Sequence, residues 1–341
     1  MIQKLAIFLL LLLALAGFFG YIAYNAIWGP NVTKNLDLYI PSEGSFDEMV
    51  ESLESNAILK SSENFKRVSQ LMKFGDKNLK PGFYKIKSGW TNRQLISALR
   101  SGNQTEIDLT YNNVRTIEDL AGVIGQQMEF DSLDFLNYIR NDSILNTYQK
   151  NEYDILSLFI PNTYKVFWND SVEKTVKRLA REEDNFWKEK QRLEKLEQVG
   201  LTKEEVYNLA SIVEKETLVN EEKPTIAGVY LNRIAKGILL QADPTVVYAS
   251  GDFSIRRVLN KHLAIDNPYN TYLYAGIPPG PIYMPSTASL DAVLNPEKHR
   301  YLFFCAKPDN SGRHQFAKSL SEHNANAKKY QRWLSRSGIM K

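Results

Sequence analysis

One cysteine and four histidines are all that the 341-residue chain holds of the residues most used for metal and redox chemistry. A single thiol excludes an intrachain disulfide. Cys305 sits in the apolar run Tyr301-Leu302-Phe303-Phe304-Cys305-Ala306 and reads as a small core residue, because a reactive thiolate needs an electropositive, partly exposed setting. His262, His299, His314 and His323 form no close helical pair and no His-Glu-x-x-His motif, so they read as structural, and neither a metal nor a cofactor is expected. The Gly-x-Ser-x-Gly elbow of serine hydrolases is missing. Charge excess is missing too: 42 basic against 39 acidic residues leave +3, which argues against a dedicated nucleic-acid binder and permits an anionic polymer or membrane nearby.

The N-terminus is the clearest positive signal. From Leu5 to Trp28 no residue is charged, and a helix of that length spans ~36 Å, enough for a hydrocarbon core of about 30 Å. Ala14-Leu15-Ala16 resembles a signal-peptide cleavage site, but the apolar stretch continues through Phe18, Phe19, Tyr21 and Ile22, with Tyr24 and Trp28 suited to an interfacial belt. An uncleaved single-pass anchor over residues 1–30 is the preferred reading. A weak bias in flanking positive charge puts the body outside the cytoplasm, with the anchor in the cytoplasmic membrane.

Beyond the anchor, an extended segment leads three times into a hydroxyl cap and a short amphipathic helix. Leu36 to Ile40 precedes Ser45, Gly82 to Ile86 precedes Thr91, and Ile107 to Tyr111 precedes Thr116. The extended pieces alternate as half-buried strands do, and Ser45 with Glu48 and Thr91 with Gln94 fit the capping box. These units must pair strands and pack helices to bury anything, which predicts a compact α+β module. Further on, the spacing predicts one charged helix from Ser171 to about Glu197, ended by Gly200, and a new helix opened by Thr202 with Glu205.

That second helix carries Leu209-Ala210-Ser211-Ile212-Val213-Glu214-Lys215-Glu216-Thr217. Glu214 shares a side with Tyr207, Ala210 and Thr217, where partial burial would raise its pKa; Glu216 lies 200° away, so the two carboxylates point apart. Neither has a basic residue three or four positions off. On spacing alone a solvated surface carboxylate competes with a catalytic one. Gln241 to Tyr248, Asn267 to Tyr272 and Gly276 to Ile282 set amides and hydroxyls beside tyrosines, which suits a sugar site and equally suits a set of turns.

Taken in order, these four segments resemble the endolytic murein transglycosylase (YceG-like) family. Asn295-Pro296, the run at Tyr301 to Phe304, and Gly312, His314, Phe316, His323 and Asn324 extend the likeness, and Pro81-Gly82-Phe83-Tyr84 with Gly89 and Leu95 resembles the family's LysM-like subdomain. The resemblance implies an α+β fold, with a LysM-like subdomain at 31–110 and a YceG-like catalytic domain at 111–338. It implies Glu214 as acid–base, and Gln241, Asp243, Thr245, Asn267, Tyr269 and Asn270 near the glycan. It implies peptidoglycan strands as substrate, cut after N-acetylmuramic acid to leave a 1,6-anhydro end, and peptidoglycan synthases as partners. Ala242 departs from the hydroxyl residue expected between Gln241 and Asp243. A hydrolytic muramidase using Asp243 as a second carboxylate, and a membrane-tethered glycan-binding scaffold, are the rival readings.

Overall fold

The computed structural model describes residues 2–336; the expected end of the catalytic domain, at 338, lies outside the described residues. The fold mixes helices with three two-stranded sheets, and the chain divides into two compact units.

The first unit comprises residues 1–109 with 127–129 and 165–171. It opens with α1 (Ile2–Trp28), whose apolar side chains from Leu5 onward are exposed and whose length and composition suffice to cross a membrane. Then come β1 (Leu36–Ile40), α2 (Phe46–Ser55), α3 (Ser62–Leu71), β2 (Gly82–Ile86) and α4 (Asn92–Ser101). β1 and β2 pair antiparallel with Leu38 opposite Tyr84 and Ile40 opposite Gly82. Gly82 has φ +136°, and a Cβ there would run into the Gln104 side chain, so the second strand can begin only on glycine. The alternation puts Leu38, Ile40, Tyr84 and Ile86 into one core with Leu53, Phe65, Leu95 and Leu99. Both expected capping boxes form, at Ser45/Glu48 and Thr91/Gln94.

The end of α1 is fastened to this unit. Asn92, 1% exposed, donates from Nδ2 to the Ala26 carbonyl (2.8 Å) and accepts from Asn31 Nδ2 (2.7 Å). The Arg93 guanidinium lies 4.5 Å from the centroid of the Trp28 ring, and Pro30 bridges to Thr91.

β3 (Ile107–Tyr111) and β4 (Asn162–Val166) form the second sheet. The remaining elements are α5 (Ile117–Gly125), α6 (Ser132–Ile139), α7 (Asp142–Thr147), α8 (Val172–Lys188), α9 (Arg192–Val199), α10 (Lys203–Glu216), α11 (Lys223–Ala235), α12 (Asp243–Ser250), α13 (Asn260–Leu263) and α14 (Thr287–Leu294). The antiparallel pair β5 (Phe303–Ala306) and β6 (His314–Ala317) and helix α15 (Leu320–Arg336) complete the second unit. α10 is its hub: every residue from Val206 to Val213 is buried, and it packs on α11, α12 and α14.

Three expectations need correction. The single helix expected from Ser171 to Glu197 is broken, with Lys190 and Gln191 both left-handed. The break turns Arg192 inward, where it is 2% exposed, donates to Asp291 (2.7 Å) and the Phe186 carbonyl (2.7 Å), and covers the Phe186 ring. Asp243-Pro244-Thr245, expected as a turn, is the first turn of α12, where proline's missing N–H costs nothing. Cys305 is half-buried on the edge pair β5–β6 rather than in the core.

Removing the Asn92 amide leaves the half-buried Ala26 carbonyl without its side-chain donor and takes one acceptor from the buried Asn31 amide, which keeps its bonds to Ser61. Asn92→Ala is expected to destabilise the full chain in detergent by about 1–3 kcal/mol, read by urea unfolding, and to speed amide exchange at residues 29–33. Destabilisation without that local loosening would show that the tie to Ala26 lies elsewhere.

Candidate active site

The two carboxylates near the end of α10 enter opposite environments. Glu214 Oε2 accepts four hydrogen bonds, from Lys223 Nζ (3.0 Å), Ser286 N (3.1 Å), Ser286 Oγ (2.5 Å) and Ser289 Oγ (2.5 Å). Lys223, its side chain 3% exposed, opens α11, while Ser286 caps α14 and Ser289 lies in its first turn. Burial alone would raise the Glu214 carboxyl, but the serine and lysine donors and the lysine charge outweigh it and hold the group below its ordinary value. The expectation of a raised pKa is therefore reversed: the ionised form is the one this cage stabilises. The absence of a local ion-pair partner was also misleading, because Lys223 reaches back across the turn.

Among the described residues Glu216 has no ion-pair partner. Its Oε1 accepts from Tyr230 Oη (2.5 Å) on α11. Burial pushes the carboxyl up to about 7; the tyrosine hydrogen bond opposes that shift, and the Asp243 carboxylate adds to it. Asp243 accepts from Tyr272 Oη (2.6 Å), and burial together with that carboxylate raises the Tyr272 phenol. Glu216 and Asp243 both line an open cleft of about 1130 Å³, together with Arg115, Lys215 and Tyr248. A smaller recess of about 350 Å³ lies under the same pair, walled by Tyr230, Arg233, Gln241 and Tyr272. Glu214 lines neither cavity.

The other expected site residues divide. Tyr269 packs against Tyr248 with the rings tilted at 48° and centroids 4.6 Å apart, and both line a further cavity of about 900 Å³. Because Arg115 and Tyr248 line this cavity and the Glu216 cleft alike, the two adjoin. Gln241 reaches the recess, held in a left-handed conformation (φ +53°) with Oε1 accepting from Arg233 Nη2 (2.6 Å). Asn267 forms an Asx turn to Tyr269 N (2.9 Å) and lines none of these cavities. Thr245 and Asn270 are fully buried, and the expectation that they lie against the glycan is corrected. Thr245 Oγ1 spends its bonds on the Ala242 carbonyl (2.7 Å) and Thr271 Oγ1 (2.8 Å). Asn270 donates to the Leu263 and Ile265 carbonyls (3.0 and 2.8 Å) and accepts from Tyr272 N, aiming that tyrosine at Asp243.

The glycine–proline segment is fastened to α10 from below. Asn208 donates to the Pro278 carbonyl (3.1 Å), and Ser211 Oγ accepts from Ile282 N (3.0 Å). A Cβ on Gly280 would strike the Tyr153 carbonyl and approach the Tyr269 hydroxyl to 2.5 Å, so only glycine fits. Tyr230, Lys223, Ser286 and Ser289 were not expected at the site; their distances along the chain from the carboxylates they touch left no local pattern to read. Among the described residues no group of three or more His, Cys, Asp or Glu side chains could hold a metal ion.

Comparison with known proteins places this geometry in context. The YceG-like family profile matches residues 38–329. An endolytic murein transglycosylase of Bacillus subtilis is 30% identical over 86% of this chain and 84% of its own length. One of Streptococcus pneumoniae is 26% identical over 93% of this chain, which spans 63% of that longer relative. The crystal structure of a YceG-like protein of Listeria monocytogenes, 27% identical, superposes with a TM-score of 0.56 over 86% of this chain and 98% of its own.

Opposite environments predict opposite stability effects. Glu214→Gln leaves the buried Lys223 charge without its counter-ion and is expected to cost roughly 3–5 kcal/mol at pH 7. Its carboxylate contributes stability above the unfolded pKa, lost as pH falls through the lower folded value. Glu216 has the reverse sign: the folded state keeps its proton up to about 7 while the unfolded state loses it near 4.5, so stability falls as pH rises across that window. Glu216→Gln removes that loss, on the order of 2–3 kcal/mol. Urea unfolding of both variants at pH 5 and pH 8 checks the pair.

Proposed function

The chain belongs to the YceG-like family, and on that premise we propose that it is an endolytic lytic transglycosylase of peptidoglycan whose acid–base residue is Glu216 rather than Glu214. One observation carries the reading. Glu216 is a half-buried carboxyl whose pKa is pushed up to about 7, set at the wall of a long open cleft. A group that ionises near the working pH can give and take a proton in successive steps. Glu214, caged by Lys223, Ser286 and Ser289, is held ionised and lines neither the cleft nor the recess.

Protonated Glu216 donates to the glycosidic oxygen as the bond from C1 of N-acetylmuramic acid breaks. The resulting carboxylate takes the proton of the same sugar's C6 hydroxyl as O6 bonds to C1. The proton returns to Glu216, no water is consumed, and the product is a 1,6-anhydro ring. Burial, helped by the Asp243 carboxylate, keeps Glu216 protonated, and that carboxylate, steadied by Tyr272, offers negative charge to the oxocarbenium-like transition state. The adjoining cavities at Tyr248 and Arg115 support an endo-acting cut, since a strand extends beyond the cleavage point in both directions.

Residues 31–110 are proposed as a LysM-like glycan-attachment module, supported by the antiparallel β1–β2 pair with two helices between its strands, and 111–338 as the catalytic domain. The exposed apolar α1 supports a single-pass anchor in the cytoplasmic membrane, with the body on the outer face, where peptidoglycan-polymerising enzymes are the proposed partners. A scaffold without activity has no use for the raised Glu216 carboxyl. A hydrolase would need Asp243 to activate a water.

The test incubates the full chain in detergent with uncross-linked glycan strands and analyses the products by mass spectrometry. Anhydro-ended fragments are expected, abolished by Glu216→Gln and retained in whatever fraction of Glu214→Gln folds. Reducing ends would make the enzyme a hydrolase, and binding without cleavage a scaffold. The value of kcat/KM should fall about tenfold per pH unit above about 7 as the free enzyme's Glu216 loses its proton. A rate that stayed level to pH 9 would remove Glu216 from the acid role.

A further inference from the structure

The Glu216 cleft is lined by four basic side chains, Arg115, Lys215, Arg256 and Arg257. None of them has a carboxylate within ion-pair distance among the described residues. The neighbouring cavity is different: there Arg140 is neutralised by Glu118 and Lys150 by Glu204. Two of the four unneutralised cations are steadied by aromatic faces instead. The Arg115 guanidinium lies 3.8 Å from the Phe253 ring centroid and the Lys215 ammonium 4.5 Å from that of Tyr283. A ring quadrupole holds a cation in place without cancelling its charge. Arg256 and Arg257 are exposed on the loop after Phe253.

Like charges gathered in one concave wall repel one another and raise the local concentration of anions. The hydroxyl and acetamido groups of a glycan call for hydrogen bonds, not for four cations. The negative charge of peptidoglycan lies on the lactyl side of its muramic acid residues. It is the lactyl carboxylate itself on a bare strand, or the free carboxylates of the attached peptide on a substituted one. A lactyl carboxylate lies close to its ring, and one or two donors beside Glu216 would serve it. The cations here are more numerous, Lys215, Arg256 and Arg257 lining the Glu216 cleft and Arg115 shared between that cleft and the adjoining cavity. That spread matches a peptide lying along the wall, and arginine's planar fork matches its carboxylates. We propose that Arg115, Arg256 and Arg257 bind the carboxylates of stem peptides, so that the enzyme prefers peptide-bearing strands to bare ones. The proposal rests on the transglycosylase reading and deepens it into a choice of substrate.

The test compares two lipid-free substrates, glycan strands with peptides intact and the same strands after an amidase has removed them. Freeing both from lipid leaves lactyl and peptide carboxylates as the anions present. The double variant Arg256→Ala/Arg257→Ala, made in the full chain in detergent, is expected to raise KM for peptide-bearing strands about tenfold, to leave kcat within twofold, and to leave KM for bare strands unchanged, while Arg115→Ala, at the junction of the two cavities, is expected to raise KM more for peptide-bearing than for bare strands. The same contrast should appear in equilibrium binding by the Glu216→Gln protein, where no cleavage intervenes. Equal losses on both substrates would assign the cations to the lactyl carboxylate or to a general field, and no loss on either would make them a solvated face; either result overturns the proposal. Peptide-dependent binding without cleavage by the unaltered protein would sink the enzyme reading alone, so the two failures are distinguishable.

Discussion

The Lys223–Glu214 ion pair, with Ser286 and Ser289 closing around it, is the constraint from which the rest of the second unit follows. It joins the end of α10 to the starts of α11 and α14 by charge-assisted hydrogen bonds, with Lys223 buried and Glu214 partly so. A buried pair of this kind contributes little net stability, yet losing either partner is costly because the survivor is left charged and dry. That asymmetry makes it a registration device: the three helices cannot slide without exposing one charge or the other. Once they are fixed, Tyr230 on α11 stands within hydrogen-bond reach of Glu216, two residues beyond Glu214.

Two glutamates in one helical turn thus divide the labour that environment assigns. One lies among donors and stays ionised; the other has burial and a neighbouring carboxylate and holds its proton. Pairs of carboxyls driven apart in this way are how one fold keeps an acid and an anion side by side at neutral pH. The same logic extends outward, from Asp243 steadied by Tyr272, to Asn270 beneath Tyr272, to the Thr245–Thr271 contact that seats the start of α12. Thr245 and Asn270 belong to the third layer of this support, which is why residues quoted in the right motif proved to lie out of reach of a ligand.

Much of the architecture was legible in the sequence because it rests on local rules. The uncharged stretch from Leu5 to Trp28 is one helix, and the boxes at Ser45, Thr91 and Thr202 cap the helices they were expected to open. The break at Lys190 and Gln191 was hidden because its cause is Asp291, a hundred residues on, drawing Arg192 inward. Glu214 and Glu216 could not be ranked from the helix alone. Their spacing correctly set them on different sides, but which side held the cation depended on Lys223 beyond a turn, and which held the cleft depended on Asp243. Gly280 is the converse case: its place among prolines suggested only a turn, whereas the Tyr153 carbonyl and Tyr269 hydroxyl leave no room for any side chain.

Between Trp28 and Asn31 there are only Gly29 and Pro30, and both flanks are pinned, by the Asn92 bond to Ala26 and by Arg93 over Trp28. A joint with no slack carries torque. In a bilayer the first unit therefore cannot tumble on a tether: it spins and tilts only as α1 does, at the slow rotational diffusion of a body embedded in lipid. With α1 in a bilayer, whatever that unit held would feel viscous drag from the membrane itself, and its height above the lipid would be set by geometry rather than by a distribution of linker lengths. What a flexible stalk would blur over tens of ångströms, this fused joint holds at one value.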